Sequence, residues 1–156
     1  MLRKPLVIVG GQIEQLQSGD TLSGPFAEIE GLTQTNGESS PIVIGMPVYS
    51  SSADTVKKAE ANASGTVEVI GLVSSTSITN AQTGTIQTSG VLSATPTQWT
   101  AVGVTLASGT VVYLDPATPG MLTATAPITA GQYVVRVGRA ISTTELVIDI
   151  QAPILL

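Results

Sequence analysis

The sequence predicts an all-β protein: a small β-barrel or β-sandwich with an internal pseudo-repeat, preceded by an extended N-terminal arm. Three observations lead there. Short runs rich in Val, Ile, Thr and Tyr recur along residues 109–156, with Pro and Gly confined to the gaps between them, as half-buried pleated strands require. Within this stretch, residues 145–151 (ELVIDIQ) alternate with a period of two. Leu146, Ile148 and Ile150 fall on one face, and Glu145, Val147, Asp149 and Gln151 on the other. The third observation is an echo. Gly45-Met46-Pro47-Val48-Tyr49 resembles Gly109-Thr110-Val111-Val112-Tyr113, with the tyrosines 64 positions apart (113 − 49). Val69-Ile70-Gly71-Leu72-Val73-Ser74 resembles residues 136–142, with Gly71 and Gly138 67 positions apart (138 − 71). A later apolar strand closes each block, at 86–92 and at 146–150. Two copies of one supersecondary unit in a single barrel or sandwich would give these spacings; they are too few for a solenoid.

Taken in order, residues 1–40 read as the arm. Leu6-Val7-Ile8-Val9 is a short apolar strand bounded by Pro5 and Gly10-Gly11, and residues 12–17 alternate polar and apolar before the turn Ser18-Gly19-Asp20. Leu2, Leu6, Val7, Ile8, Val9, Ile13 and Leu16 are the candidate interface residues of this arm, laid on a neighbouring subunit; the alternative is that residues 6–9 form an edge strand of the chain's own domain. Gly24-Pro25, Gly31, Asn36-Gly37 and Ser39-Ser40-Pro41 mark residues 21–40 as loop. The barrel or sandwich domain is expected over 41–156. Strands are expected at 41–49, 55–60, 67–74 and 86–94, the last interrupted by Gly90, with a polar exposed segment at 76–84. Trp99 is expected to plug a core or barrel end. Further strands follow at 111–113, 121–125, 132–141 and 145–151.

Composition narrows the function. Charged residues make up 11% of the chain, against 42% hydrophobic, and the mean hydropathy is +0.36. So little charge on a small domain implies that much of its surface lies against other subunits. The net charge is −5. The basic residues Arg3, Lys4, Lys57, Lys58, Arg136 and Arg139 are scattered in pairs, and direct nucleic-acid binding is not expected from them. No run approaches the roughly 20 apolar residues of a membrane span, so no membrane partner is expected. Residues 6–9 are far shorter than the apolar core of a signal peptide, and the protein is expected to be made in the cytosol.

The chain contains neither Cys nor His. That removes disulfides, thiolate sites, the usual general base near neutral pH and the commonest metal ligand. No catalytic residue, metal or cofactor is therefore expected. The carboxylate pairs Glu28/Glu30 and Asp115/Glu145 read as solvated side chains rather than as a hydrolase pair. Gly10-Gly11 lacks the remainder of a phosphate-binding loop. Arg136 and Arg139, three apart on a strand, are expected on opposite faces as candidate interface ion-pair residues, one of them partnering Asp115, Glu145 or Asp149.

Two stretches resemble a known group. The segment KPLVIVGGQIEQLQSGDTL is similar to segments recurring in virion structural proteins and appendages of tailed bacteriophages. GTVVYLDPATPGMLTA and VVRVGRAISTTELVIDI resemble the small head decoration (cement) proteins of phages, in which Gly, Val-Tyr, an acidic turn, a Gly-x-Leu-Thr strand and a Val-Gly-x-Ala strand recur. The resemblance implies a β-rich homotrimer on the capsid exterior of the virion, with the major capsid protein as its partner, stabilising the shell by bridging neighbouring subunits. It carries no catalytic residue. The alternative expectation is a short tail-fibre, spike or other appendage module for host recognition, although the aromatic residues that sugar binding favours are only Phe26, Tyr49, Trp99, Tyr113 and Tyr133.

Overall fold

The computed structural model describes residues 6–9, 12–15 and 31–156. Strand β1 (Leu6–Val9) pairs antiparallel with β2 (Gln12–Gln15), with Val9 opposite Gln12. The apolar run thus has a local backbone partner.

Next come β3 (Gly31–Asn36), β4 (Ile42–Val43), β5 (Pro47–Ser52), β6 (Thr55–Lys58), β7 (Val69–Val73), β8 (Ser77–Ile78) and β9 (Thr83–Gln87). Five of them close a barrel in the order β3-β6-β5-β7-β9, with β3 joining both ends: antiparallel to β9 and parallel to β6. Two loop readings are corrected here. Residues 31–36, punctuated like a turn, form a barrel strand because β9 partners Gly31–Thr35 and β6 partners Thr35 and Asn36. The polar segment 76–84 contains β8, which pairs with β4 and buries Ile78. The single strand expected at 41–49 is broken at Gly45, whose φ of +86° turns the chain between β4 and β5.

The remaining elements are β10 (Gly90–Ser93), α1 (Pro96–Ala101), β11 (Val111–Leu114), β12 (Leu122–Thr123), β13 (Tyr133–Val134), β14 (Arg136–Ala140), β15 (Glu145–Ile148) and β16 (Ile154–Leu155). A second five-stranded sheet runs β12-β11-β14-β15-β10. Laid beside the barrel opened at its β3/β6 seam, the two orders coincide: β6, β5, β7, β9, β3 correspond to β12, β11, β14, β15, β10.

The registers coincide as well. Val48 pairs with Gly71 and Tyr49 with Val69; Val112 pairs with Gly138 and Tyr113 with Arg136; a bulge falls between Val48 and Tyr49 and again between Val112 and Tyr113. Gly45 N–H donates to Val73 O at 2.9 Å, and Gly109 N–H to Ala140 O at 2.8 Å. Val73 N–H donates to Met46 O, as Ala140 N–H does to Thr110 O. Gly45 and Gly109 share a left-handed backbone, at φ +86° and +88°. The spacings of 64 and 67 seen in the sequence are therefore one unit folded twice. The apolar run 86–94 is a correction to the expected closing strand: Thr88-Ser89 separates β9 from β10, which belong to different units. The expected strand 132–141 likewise divides, β13 pairing with β16 while β14 enters the large sheet.

The units differ at the seam. In the first, Thr35 N–H donates to Asp54 O and Gly37 N–H to Val56 O, which closes β3 on β6. Leu32 lies opposite Ile86 and Leu92 opposite Leu146, so Thr95-Pro96 holds the place of Thr35-Asn36. There the chain turns into α1. Thr95 is its N-cap, accepting from Gln98 N–H through Oγ1 while its own N–H donates to Gln98 Oε1 at 2.8 Å, and Pro96 occupies the first turn. The end of the helix then covers the edge that β10 leaves open: Leu122 N–H donates to Val102 O at 2.8 Å.

One core serves both units. Trp99 is fully buried, donates from Nε1 to Thr144 O at 3.1 Å, and lies against Gly45 of the first unit. Three backbone bonds add to this junction: Gly120 N–H to Ala59 O, Ala61 N–H to Asp115 O, and Tyr133 N–H to Ala61 O.

Two predictions follow from this packing. A Cβ on Gly71 would lie 2.5 Å from Gln87 O, and one on Gly138 would lie 2.3 Å from Val147 O. Both obstacles are backbone, so Gly71→Ala and Gly138→Ala should each lower unfolding free energy by about 1–3 kcal/mol. Gly65→Ala, where a methyl meets open space, should change it by less than about 0.5 kcal/mol; urea denaturation of the three variants checks the ordering. Asn36 is the buried polar side chain at the barrel seam, 1% exposed. Its Nδ2 donates to Ile78 O at 2.8 Å and Ser40 O at 3.0 Å, and its Oδ1 accepts from Glu38 N–H at 2.7 Å. Asn36→Ala should cost about 1–3 kcal/mol because those partners lose their bonds in a dry site, again read by urea denaturation.

Candidate functional site

Asp115 and Glu145, weighed in the sequence as a carboxylate pair and read as solvated side chains, are not brought together. Asp115 follows β11, and its Oδ1 accepts from Ala117 N–H at 2.7 Å and Thr118 N–H at 2.8 Å, which fixes a turn. Glu145 begins β15, where its Oε2 accepts from Ser142 Oγ at 3.3 Å. Strands β11 and β15 both run antiparallel to β14, so these carboxylates stand at opposite ends of the sheet. Glu28, Glu30 and Gly10-Gly11 lie outside the described residues. Among the described residues, no group of three or more Asp or Glu is placed to hold a metal ion. A shallow, uncharged depression is lined by Gly31, Ser74, Thr85 and Gln87. Of its lining, Ser74 Oγ donates to Thr85 O, and the Thr85 N–H donates to Ser75 Oγ beside it.

The two arginines have different surroundings. Arg136 Nη2 lies 2.9 Å from Asp149 Oδ2 of the same chain. Both side chains are partly exposed, and a bridge of that kind contributes about 0–1 kcal/mol. Arg136 Nε is buried and has no hydrogen-bond partner among the described residues. Arg139 is exposed on β14. The first unit has the fully buried Leu72 at the equivalent register position, so the sheet face that is covered there is open to solvent at Arg139. Of the arm residues, Leu6, Val7, Ile8 and Val9 lie in β1 and Ile13 in β2; Leu2 and Leu16 lie outside the described residues.

A surface not singled out from sequence emerges at the other end of the β14–β15 hairpin. Strand β13 pairs with β16, placing Tyr133 opposite Leu155 and Val134 opposite Ile154. Leu156 N–H donates to Gln132 O, and Gly131 N–H to Leu156 O. The turn into β13 carries Ile128, which is 90% exposed; Ile154, Leu155 and Leu156 are 63%, 60% and 43% exposed. They are four of the seven exposed large apolar residues among those described, the others being Leu32, Val91 and Ile141. The sequence did hold a signal: no charged residue lies between Asp115 and Arg136, and none follows Asp149.

What the described residues present at this end of the sheet is uncharged strand edge and exposed apolar side chains on a backbone held by its own hydrogen bonds. No family model matches the chain, and no curated protein matches it.

Proposed function

We propose that the chain is a phage head decoration (cement) protein that binds the outer surface of the capsid as a homotrimer and stabilises the shell by bridging subunits of the major capsid protein. The observation that carries this reading is the resemblance of residues 109–151 to such proteins. In support of it, that stretch folds as a coherent piece, β11 with β12, β14 and β15, at the centre of the second unit. A charged content of 11% suits a protein whose surface is largely given to contacts. Binding across subunit junctions stabilises the assembled shell by mass action, by RT ln(1 + [L]/Kd) per site. With three chains of −5 each, a free trimer repels nucleic acid and stays available for heads after synthesis in the host cytoplasm.

The reading predicts a mass three times the 15.9 kDa of one chain by light scattering, and co-sedimentation with empty heads of the phage that encodes it. Deleting residues 1–17 leaves both five-stranded units intact and should retain the β-type circular dichroism. If the arm anchors the trimer, the deletion weakens head binding at least about tenfold, which is roughly 1.4 kcal/mol. Equal binding by the truncated chain would assign the anchor to the domain, and no binding by the full chain would overturn the decoration reading.

A further inference from the structure

We infer that the β1–β2 hairpin docks on the open edge of β10 of the same chain, with β1 against β10, so that the sheet of the second unit gains two strands. The inference does not rest on the decoration reading, and its test needs no capsid.

The edge comes first. Strand β10 is the terminal strand of its sheet and pairs only with β15. Ala94 N–H donates to Thr144 O. Alternation along the ladder therefore makes Leu92–Leu146 and Gly90–Ile148 the bonded pairs, and turns the N–H and C=O of Val91 and Ser93 away from β15. Both residues are exposed, Val91 at 44%. In the first unit the corresponding seam is closed where β3 meets β6. In the second, Val102 O covers the β12 side of the gap by accepting from Leu122 N–H, while nothing among the described residues bonds the outward groups of Val91 and Ser93. The strand itself, Gly-Val-Leu-Ser, carries no charge that would keep another strand away.

Such an edge takes an extended strand, held through its backbone. Strands β1 and β2 pair, among the described residues, only with each other, and a lone two-stranded hairpin is marginal in water. The sequence of β1 is Leu-Val-Ile-Val, the pattern of a strand covered on both faces rather than of an edge. Like β10 it is four residues long. Charge sets the order of the two strands. With β1 inward, β2 becomes the new edge, and β2 carries Glu14, the type of residue that guards an edge against further pairing.

Reach makes the partner the same chain. Gly31 lies opposite Gln87, and β10 begins at Gly90, just beyond Thr88-Ser89, so Gly90 is at most about 17 Å from Gly31. Residues 16–30 join β2 to β3, and a chain of that length spans up to about 50 Å. The hairpin therefore reaches β10 with chain to spare, at the high effective concentration of a tethered strand. A second copy at micromolar concentration has no such advantage and brings a like net charge of −5.

The test is amide exchange on the full-length chain at micromolar concentration. It is compared with Ile8→Asp, which places a charge in β1, and with the chain lacking residues 1–17; Ile8→Val is the conservative control. In the wild type and Ile8→Val, the N–H groups of Val91 and Ser93 should exchange at least about tenfold more slowly than in Ile8→Asp or the truncated chain. That protection should be the same at higher protein concentration. The Leu92 N–H, directed to β15, should stay protected in every form. Equal exchange at Val91 and Ser93 in the wild type and Ile8→Asp overturns the inference. So does protection that grows with concentration, which would put a strand of a second copy on this edge. Loss of protection at Leu92 together with Val91 and Ser93 overturns it too, because the hairpin would then be holding β10 to β15 rather than covering its outer edge.

Discussion

At Gly71 and at Gly138 the backbone of a central strand lies so near its neighbour that the carbonyls of Gln87 and Val147 occupy the space a side chain would need. The neighbouring bulges, between Val48 and Tyr49 and between Val112 and Tyr113, sit on the strands facing these glycines. A bulge increases the local twist and bends the strand, and the glycine lets the adjoining strand follow. Register then follows, because a slip of one residue would bring a side chain against the carbonyl and turn every apolar residue of the strand to the opposite face. Val48 and Val73 in the first unit, and Val112 and Ala140 in the second, are buried because that register is fixed.

From this shared centre the units separate at one edge. The seam of the first is closed by β3, with the Asn36 side chain tying the end of that strand to Ile78 and Ser40. A proline stands at the equivalent place in the second, and the preceding N–H, which would have donated across the seam, is held by Gln98. A strand cannot continue under those conditions, and a short helix can, since its first turn has no need of the missing donor. What the second unit loses in strand pairing it regains through Trp99, whose indole fills the junction against Gly45. The junction explains why two units share one core: Gly45 is both the turn of the first unit and the floor beneath Trp99 of the second.

Much of this was legible in the sequence. The all-β class followed from β-branched runs between Pro and Gly, and the tyrosine and glycine spacings marked the paired strands that proved equivalent. Strand β3 was not legible, because Gly31 and Asn36-Gly37 are turn residues by local chemistry; only the partner strands β9 and β6 make Gly31–Asn36 extended. The start of α1 was legible and missed, since Thr95-Pro96-Thr97-Gln98 has the spacing of a capping box with an early proline. The division of 86–94 between two units falls at Thr88-Ser89, and Gly90, whose φ is +80°, opens β10 just after the turn. Ile154 and Leu155 lie beyond the strand expected at 145–151. Their exposure depends on where the chain goes after β15, which no periodicity within six residues can express. The arginines show the same limit: spacing predicts opposite faces, but which face is covered differs between the units.

The chemistry available to such a molecule follows from what is rigid and what is bare. Asp115 and Glu145 are spent on a turn and on the start of a strand. Contact surfaces have a different requirement, namely that the ordering cost of association be met before the partners meet. Both units meet it through backbone bonds, as does the separate β13–β16 pair, whose Ile154 and Leu155 are exposed. Under the decoration reading, that rigidity is the functional property. A bridge between capsid subunits stabilises a shell only insofar as it resists distortion itself, and here two bulged sheets share one core through the buried Trp99. Fixing the distance between contacts on different units then makes engagement at one raise the effective concentration at the other, so a surface composed of individually weak, uncharged contacts can hold firmly.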